Sequence, residues 1–221
     1  MVKTKTPLAT TAALLDGDTE QRILDAAHTM FVRRGTAGAR MQEIADEAGV
    51  NKALLHYYFR SKNGLAEAVF KRVARGIFGR LHDVASSNAP LDDKVRRIIA
   101  IYLEQLSRTP FLPGYVIGEL SQHPERAKQL LDTVRQLDES AAPPVFLEGL
   151  RTQIDEGVQA GTIRPMTSEQ FLANLVSLCI FPFAARPLLC AVLAFDADGF
   201  RAFIEERKAA LPDFFLNAIR P

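Results

Sequence analysis

The chain is short of three things, and each shortage removes a class of protein. It has two cysteines in 221 residues, Cys179 and Cys190, both in an apolar stretch and without short metal-ligand spacing. A disulfide framework and a structural zinc site are therefore not expected, and a reducing, cytoplasmic setting fits. Net charge is also scarce, +1 with histidines neutral. Any affinity for nucleic acid must then come from a local patch rather than from the field of the whole protein. Period-two alternation, the mark of a half-buried strand, is nearly absent. Apolar residues instead recur at helical spacing from Asp18 to the C-terminus, which predicts an all-α fold.

Two segments resemble membrane or export signals and fall short of both. Phe171 to Ala194 is apolar and long enough to cross a bilayer core. Pro182, Arg186 and Pro187 interrupt it, so a broken helix within a soluble core is expected, with no membrane partner. At the N-terminus, Lys3 and Lys5 precede a mild Ala/Leu/Thr run that ends at Leu15. Threonines break that run and no clear cleavage site follows, so residues 1–17 read as a flexible basic arm.

What is present is a succession of helix signals. Asp18 with Gln21 forms a capping box, Ile23, Ala27, Met30 and Phe31 form one apolar stripe, and Gly35 supplies a stop. A short second helix is expected from about Met41 to Ala48, with Ile44, Ala45 and Ala48 inward, and Gly49 supplies the turn after it. Asn51 can cap a third helix reaching about Tyr58. At some two turns it would not persist alone in water, so Leu55 and Phe59 must pack it against the first two. Ser61 can cap a fourth. Beyond it, Pro90, Pro110, Pro113, Pro124, Pro143, Pro144 and Pro165 punctuate a multi-helix body. One of its helices carries Val95, Ile98, Ile99, Tyr102, Leu103 and Leu106; the last, from about Asp196 to Ile219, carries Phe200, Phe203, Ile204, Leu211, Phe214 and Phe215.

The third helix has the chemistry of a reading helix. Lys52 and His56, and likewise Ala53 and Tyr57, stand one turn apart on the side opposite Leu55 and Phe59. Polar groups thus line the face a DNA major groove would admit, while the back stays apolar. Arg40 opens the second helix, Ser61 and Lys62 open the fourth, and Tyr58 adds a phenolic donor, which are the types that hold phosphates at helix ends. Three consecutive aromatics, Tyr57, Tyr58 and Phe59, cannot all face inward, and Tyr57 is the expected outward one.

From Gln21 to Leu65, and most strongly through MQEIADEAGVNKALLHYYFRSKNGL, the sequence resembles the DNA-binding domain of the TetR family of transcriptional regulators. The shared pattern joins an Ile-Ala pair, an Ala-Gly-Val turn, an aromatic cluster ending in Phe, and Ser-Lys two residues beyond. The resemblance implies a helix-turn-helix DNA-binding domain over residues 18–65 and a helical effector-binding and dimerisation domain over 66–221. It implies a DNA surface of Arg40, Gln42, Asn51, Lys52, Ala53, His56, Tyr57, Tyr58 and Lys62. Arg40, Ala53 and His56 depart from the commoner Thr, Gly and Tyr, which leaves the operator open. It further implies a homodimer formed through the last two long helices, Phe171 to Leu193 and Asp196 to Ile219, acting as a repressor on a palindromic DNA operator and released by a small, apolar or aromatic effector. Tyr102, Phe111, Tyr115, Phe146, Phe181 and Phe183 are the candidate cavity lining, weighed against their being ordinary core.

Rival readings carry less. His28, His82 and His123 show no ligand spacing, so no metal site and no cofactor are expected. No nucleophile and base pair or phosphate loop is visible, so an all-helical enzyme is disfavoured. A DNA-binding dimer that works through a protein partner, without an effector, remains the main alternative.

Overall fold

A computed structural model describes residues 8–138 and 145–221. Among these residues every regular element is a helix: α1 (Leu8–Gly38), α2 (Met41–Glu47), α3 (Lys52–Phe59), α4 (Lys62–Ala85), α5 (Leu91–Arg108), α6 (Leu112–Gln122), α7 (Arg126–Asp138), α8 (Val145–Gln159), α9 (Ser168–Ala184), α10 (Arg186–Val192) and α11 (Ala197–Ile219). The all-α expectation holds. The chain divides into two compact units between Arg72 and Val73, inside α4.

The first unit closes on Ile23, Ala27 and Phe31 of α1, Ile44 and Ala45 of α2, Leu55 of α3, and Leu65, Val69 and Phe70 of α4, all buried. Two expectations need correction. The first helix begins at Leu8, not Asp18, so Asp18 sits within a helix instead of capping one, and the expected arm is helical from Leu8 onward. No glycine or proline interrupts residues 8–16, and the run is rich in good helix formers. Residues 1–7, with Lys3 and Lys5, lie outside the described part. Phe59 is half-buried rather than core, tilted against Tyr58, so Leu55 alone provides the fully buried anchor of α3. Gly35 does break α1, at φ 70° and ψ 164°.

In the second unit, α5 buries Val95, Ile98, Ile99, Leu103 and Leu106 and packs against α9 and α11. Phe171 of α9 meets Phe215 of α11 edge to face at 5.1 Å, a geometry that aromatic quadrupoles favour. Caps form where the side chains allow: Asp196 accepts from the Gly199 N–H at 2.7 Å, and Thr167 accepts from that of Gln170 at 3.3 Å. The buried Lys94 ammonium donates to the Ala85 carbonyl at 2.7 Å, closing the end of α4, and burial lowers its pKa. Arg126 and Glu119 form a buried ion pair at the junction of α6 and α7.

The apolar stretch breaks as expected, though not at its first proline. Pro182 stays inside α9, and the chain bends by 71° at Ala185 before α10. Proline at 182 has no N–H to give the carbonyl of Leu178, its partner in a regular helix. Arg207 of α11 fills the gap, with Nη2 2.9 Å and Nε 3.3 Å from that oxygen. No single helix among the described residues is long and apolar enough to cross a membrane.

Candidate nucleic-acid interface

The interface is built around one turn. Gly49 adopts φ 65°, a conformation that strains any side chain with a Cβ. The Ala48, Gly49 and Val50 N–H groups donate to Ile44, Asp46 and Ala45 carbonyls at 3.0, 3.1 and 2.9 Å. Arg22 of α1 holds the turn from the other side. Its Nη2 lies 2.9 Å from the Ala48 carbonyl and 3.2 Å from that of Gly49. Sequence reasoning missed Arg22, because its partners lie far along the chain and are backbone atoms. Asn51 then caps α3, its Oδ1 accepting from the Leu54 N–H at 2.7 Å.

With Leu55 inward, Lys52, Ala53, His56 and Tyr57 are all exposed, and Tyr57 keeps 75% of its surface in solvent. An aromatic ring so exposed, braced edge-on by Tyr58 at 5.5 Å, is available to stack or to contact a base edge. Arg40 and Asn51 are also exposed. Gln42 is exposed, but its amide donates along α2 to Asp46 at 2.8 Å. Tyr58 is half-buried. Lys62 is half-buried as well and donates to the Ala37 carbonyl at 2.9 Å, so it tethers the end of α1 to the start of α4.

The end of α3 holds a further feature. Arg60 follows the helix at φ 59° and ψ −42°, sparsely populated for a residue with a Cβ and costing about 1–3 kcal/mol. Its N–H donates to the His56 carbonyl at 2.9 Å, and its own carbonyl lies 3.1 Å from His56 Nδ1. Ser61 caps α4, its Oγ accepting from the Gly64 N–H at 3.1 Å. A Cβ at Gly64 would come within 2.5 Å of the Phe59 carbonyl, so only glycine permits this approach.

The candidate effector residues are scattered. Tyr102 lines an apolar cavity of about 170 Å³ with Phe78, Leu81, Ile98, Leu130, Leu150, Leu175 and Val176, drawn from α4, α5, α7, α8 and α9. Burial, with a smaller contribution from Cys179, raises the pKa of the Tyr102 phenol, and burial pushes the Cys179 thiol up to about 12. Phe183 lines a separate groove with Arg186 and Phe200; Tyr115 is buried, and Phe111 and Phe181 are more than half exposed. The Phe146 side chain lies outside the described part.

Two short helices joined by a tight turn, the second with an apolar back and a polar outer face, define the first unit as a helix-turn-helix protein. Residues 23–69, about a fifth of the chain, match the model for bacterial regulatory proteins, tetR family, so this segment is similar to the DNA-binding part of that family. It is 34% identical over 113 residues to the HTH-type transcriptional repressor Rv3405c of Mycobacterium tuberculosis, covering 51% of this chain and 57% of that protein. The chain thus spans little more than half the length of that relative. Over 203 residues it is 22% identical to the HTH-type regulator YttP of Bacillus subtilis, covering 89% of this chain and 94% of that one. Among solved structures, the TetR family transcriptional regulator PfmR from Thermus thermophilus superposes with a TM-score of 0.62 at 18% identity, over 89% of this chain and 97% of that one. The hemolysin II transcriptional regulator HlyIIR superposes with 0.59 at 22%, over 93% and 99%. At these identities the structures speak for the fold.

Proposed function

We propose that the protein is a sequence-specific DNA-binding regulator of transcription, a cytoplasmic homodimer that represses from a palindromic operator and is released by a small effector. The outward face of α3 carries this reading: Lys52, Ala53, His56 and Tyr57 are exposed together while Leu55 is buried. In this reading Arg40 and Lys62 hold phosphates on either side, and relatives named as transcriptional repressors support the sense of regulation. Selection of duplexes from a randomised pool, followed by salt titration of the enriched site, tests it. Recovery of no preferred sequence would overturn it.

Dimerisation follows from the smallness of the reading surface. One two-turn helix makes few base contacts, and a two-fold pair reads two half-sites about one DNA turn apart. Phe181 of α9, Leu188 and Val192 of α10, and Phe214 of α11 each leave about half or more of their surface in solvent, which suits an interface between copies. The cavity supports the effector. Its described wall is almost wholly apolar, and engineered voids of similar size admit benzene, so a compact apolar or aromatic molecule fits it. Such a ligand acts through its differential affinity for the operator-bound and free states of the dimer.

A further inference from the structure

We infer that the Arg60 main chain fixes His56 as a hydrogen-bond acceptor toward DNA, so that each subunit selects a base with an exocyclic amine, adenine or cytosine, opposite His56. The inference rests on the DNA-binding reading above. It starts from the closed pair at the end of α3: Arg60 N–H to His56 carbonyl at 2.9 Å, and His56 Nδ1 to Arg60 carbonyl at 3.1 Å. The unusual φ of 59° at Arg60 accompanies this fold-back of the backbone onto the preceding turn.

A carbonyl oxygen can only accept, so the proton of a neutral His56 ring belongs on Nδ1. Nε2 then keeps its lone pair and is the nitrogen left for a partner, in a residue exposed on the same face as Lys52 and Tyr57. In the major groove adenine N6 and cytosine N4 donate, whereas guanine offers only the acceptors N7 and O6, and thymine the acceptor O4 beside its methyl. An acceptor held at His56 therefore complements adenine or cytosine and opposes guanine. The arginine at 60 acts here through its backbone, as a positioning residue.

Two measurements on the full chain at pH 8, where a free imidazole is neutral, test this separately from DNA binding itself. Long-range proton–nitrogen correlation spectra of the free protein read the tautomer directly: Nδ1 protonated is expected, and protonated Nε2 overturns the inference even if DNA binds. Duplex selection with the wild type is expected to show an adenine or cytosine position that becomes degenerate with His56→Ala. At that position, an analogue lacking only the exocyclic amine should weaken wild-type binding about fivefold and leave His56→Ala unaffected. Arg60→Gly should retain the base preference, since glycine accepts the same φ. An identical consensus for wild type and His56→Ala, or wild-type binding that is unchanged when the exocyclic amine is removed from the adenine or cytosine of that base pair, overturns the inference. A wild type that selects nothing overturns it together with the function on which it rests.

Discussion

Tyr57 within α3 and Lys62 at the start of α4 are both expected DNA contacts, and the structure gives them different surroundings. Tyr57 is free to meet a base, so Tyr57→Ala should relax sequence preference, measured by comparing enriched and scrambled duplexes. Lys62 already donates to the Ala37 carbonyl. Lys62→Ala should therefore weaken all duplexes alike, flatten the salt dependence by about one unit, and also cost about 1 kcal/mol of stability in denaturant melts. Unchanged stability would mean the tether is idle. His28 makes the pH case. Burial lowers its pKa, Arg72 lowers it further, and Asp25 opposes. The folded form then binds fewer protons than the unfolded chain. Its contribution is intact above the ordinary value of 6.5 and is lost as pH falls below it toward the depressed folded value. Thermal melts from pH 7.5 to 5 should fall more steeply for the wild type than for His28→Gln.

At the scale of elements, the helix-turn-helix was readable because its signals are local. The Asn51 cap, the Gly49 turn, the inward Leu55 and the outward Tyr57 each depend on residues a few places apart, and all four occur as the spacing predicts. What escaped was set by distant or backbone partners. The Arg22 clamp bonds two carbonyls on the other side of the first unit's core, and the helical start at Leu8 lacks a distinctive cap. Gly64 belongs to the same group, since its need for glycine comes from the Phe59 carbonyl. Gly64→Ala should lower the melting temperature despite alanine's better helix propensity, and a rise would show that the start of α4 shifts freely.

At the scale of the whole molecule, helical composition and proline spacing made the fold class legible, whereas cavity membership was not. Which aromatics converge depends on helix packing, and of the candidates whose side chains are described Tyr102 alone falls on the 170 Å³ cavity. Benzene or indole should raise the melting temperature of the wild type with the logarithm of ligand excess. Val176→Phe, which adds a ring to the cavity wall, should abolish that shift; a shift that persists would place the ligand elsewhere. Light scattering should give twice the chain mass for the wild type and a lower mass for Phe214→Glu, if α11 contributes to the pairing surface. The bond between Arg207 and the Leu178 carbonyl bears on how such a chain can change over time. With Pro182 in place, Arg207→Met strands a carbonyl, whereas after Pro182→Ala the helix recovers its own bond and the arginine becomes dispensable. A chain that gains the proline after the arginine never leaves this part-buried carbonyl without its bond, and one that loses the proline first avoids the same gap on the way back.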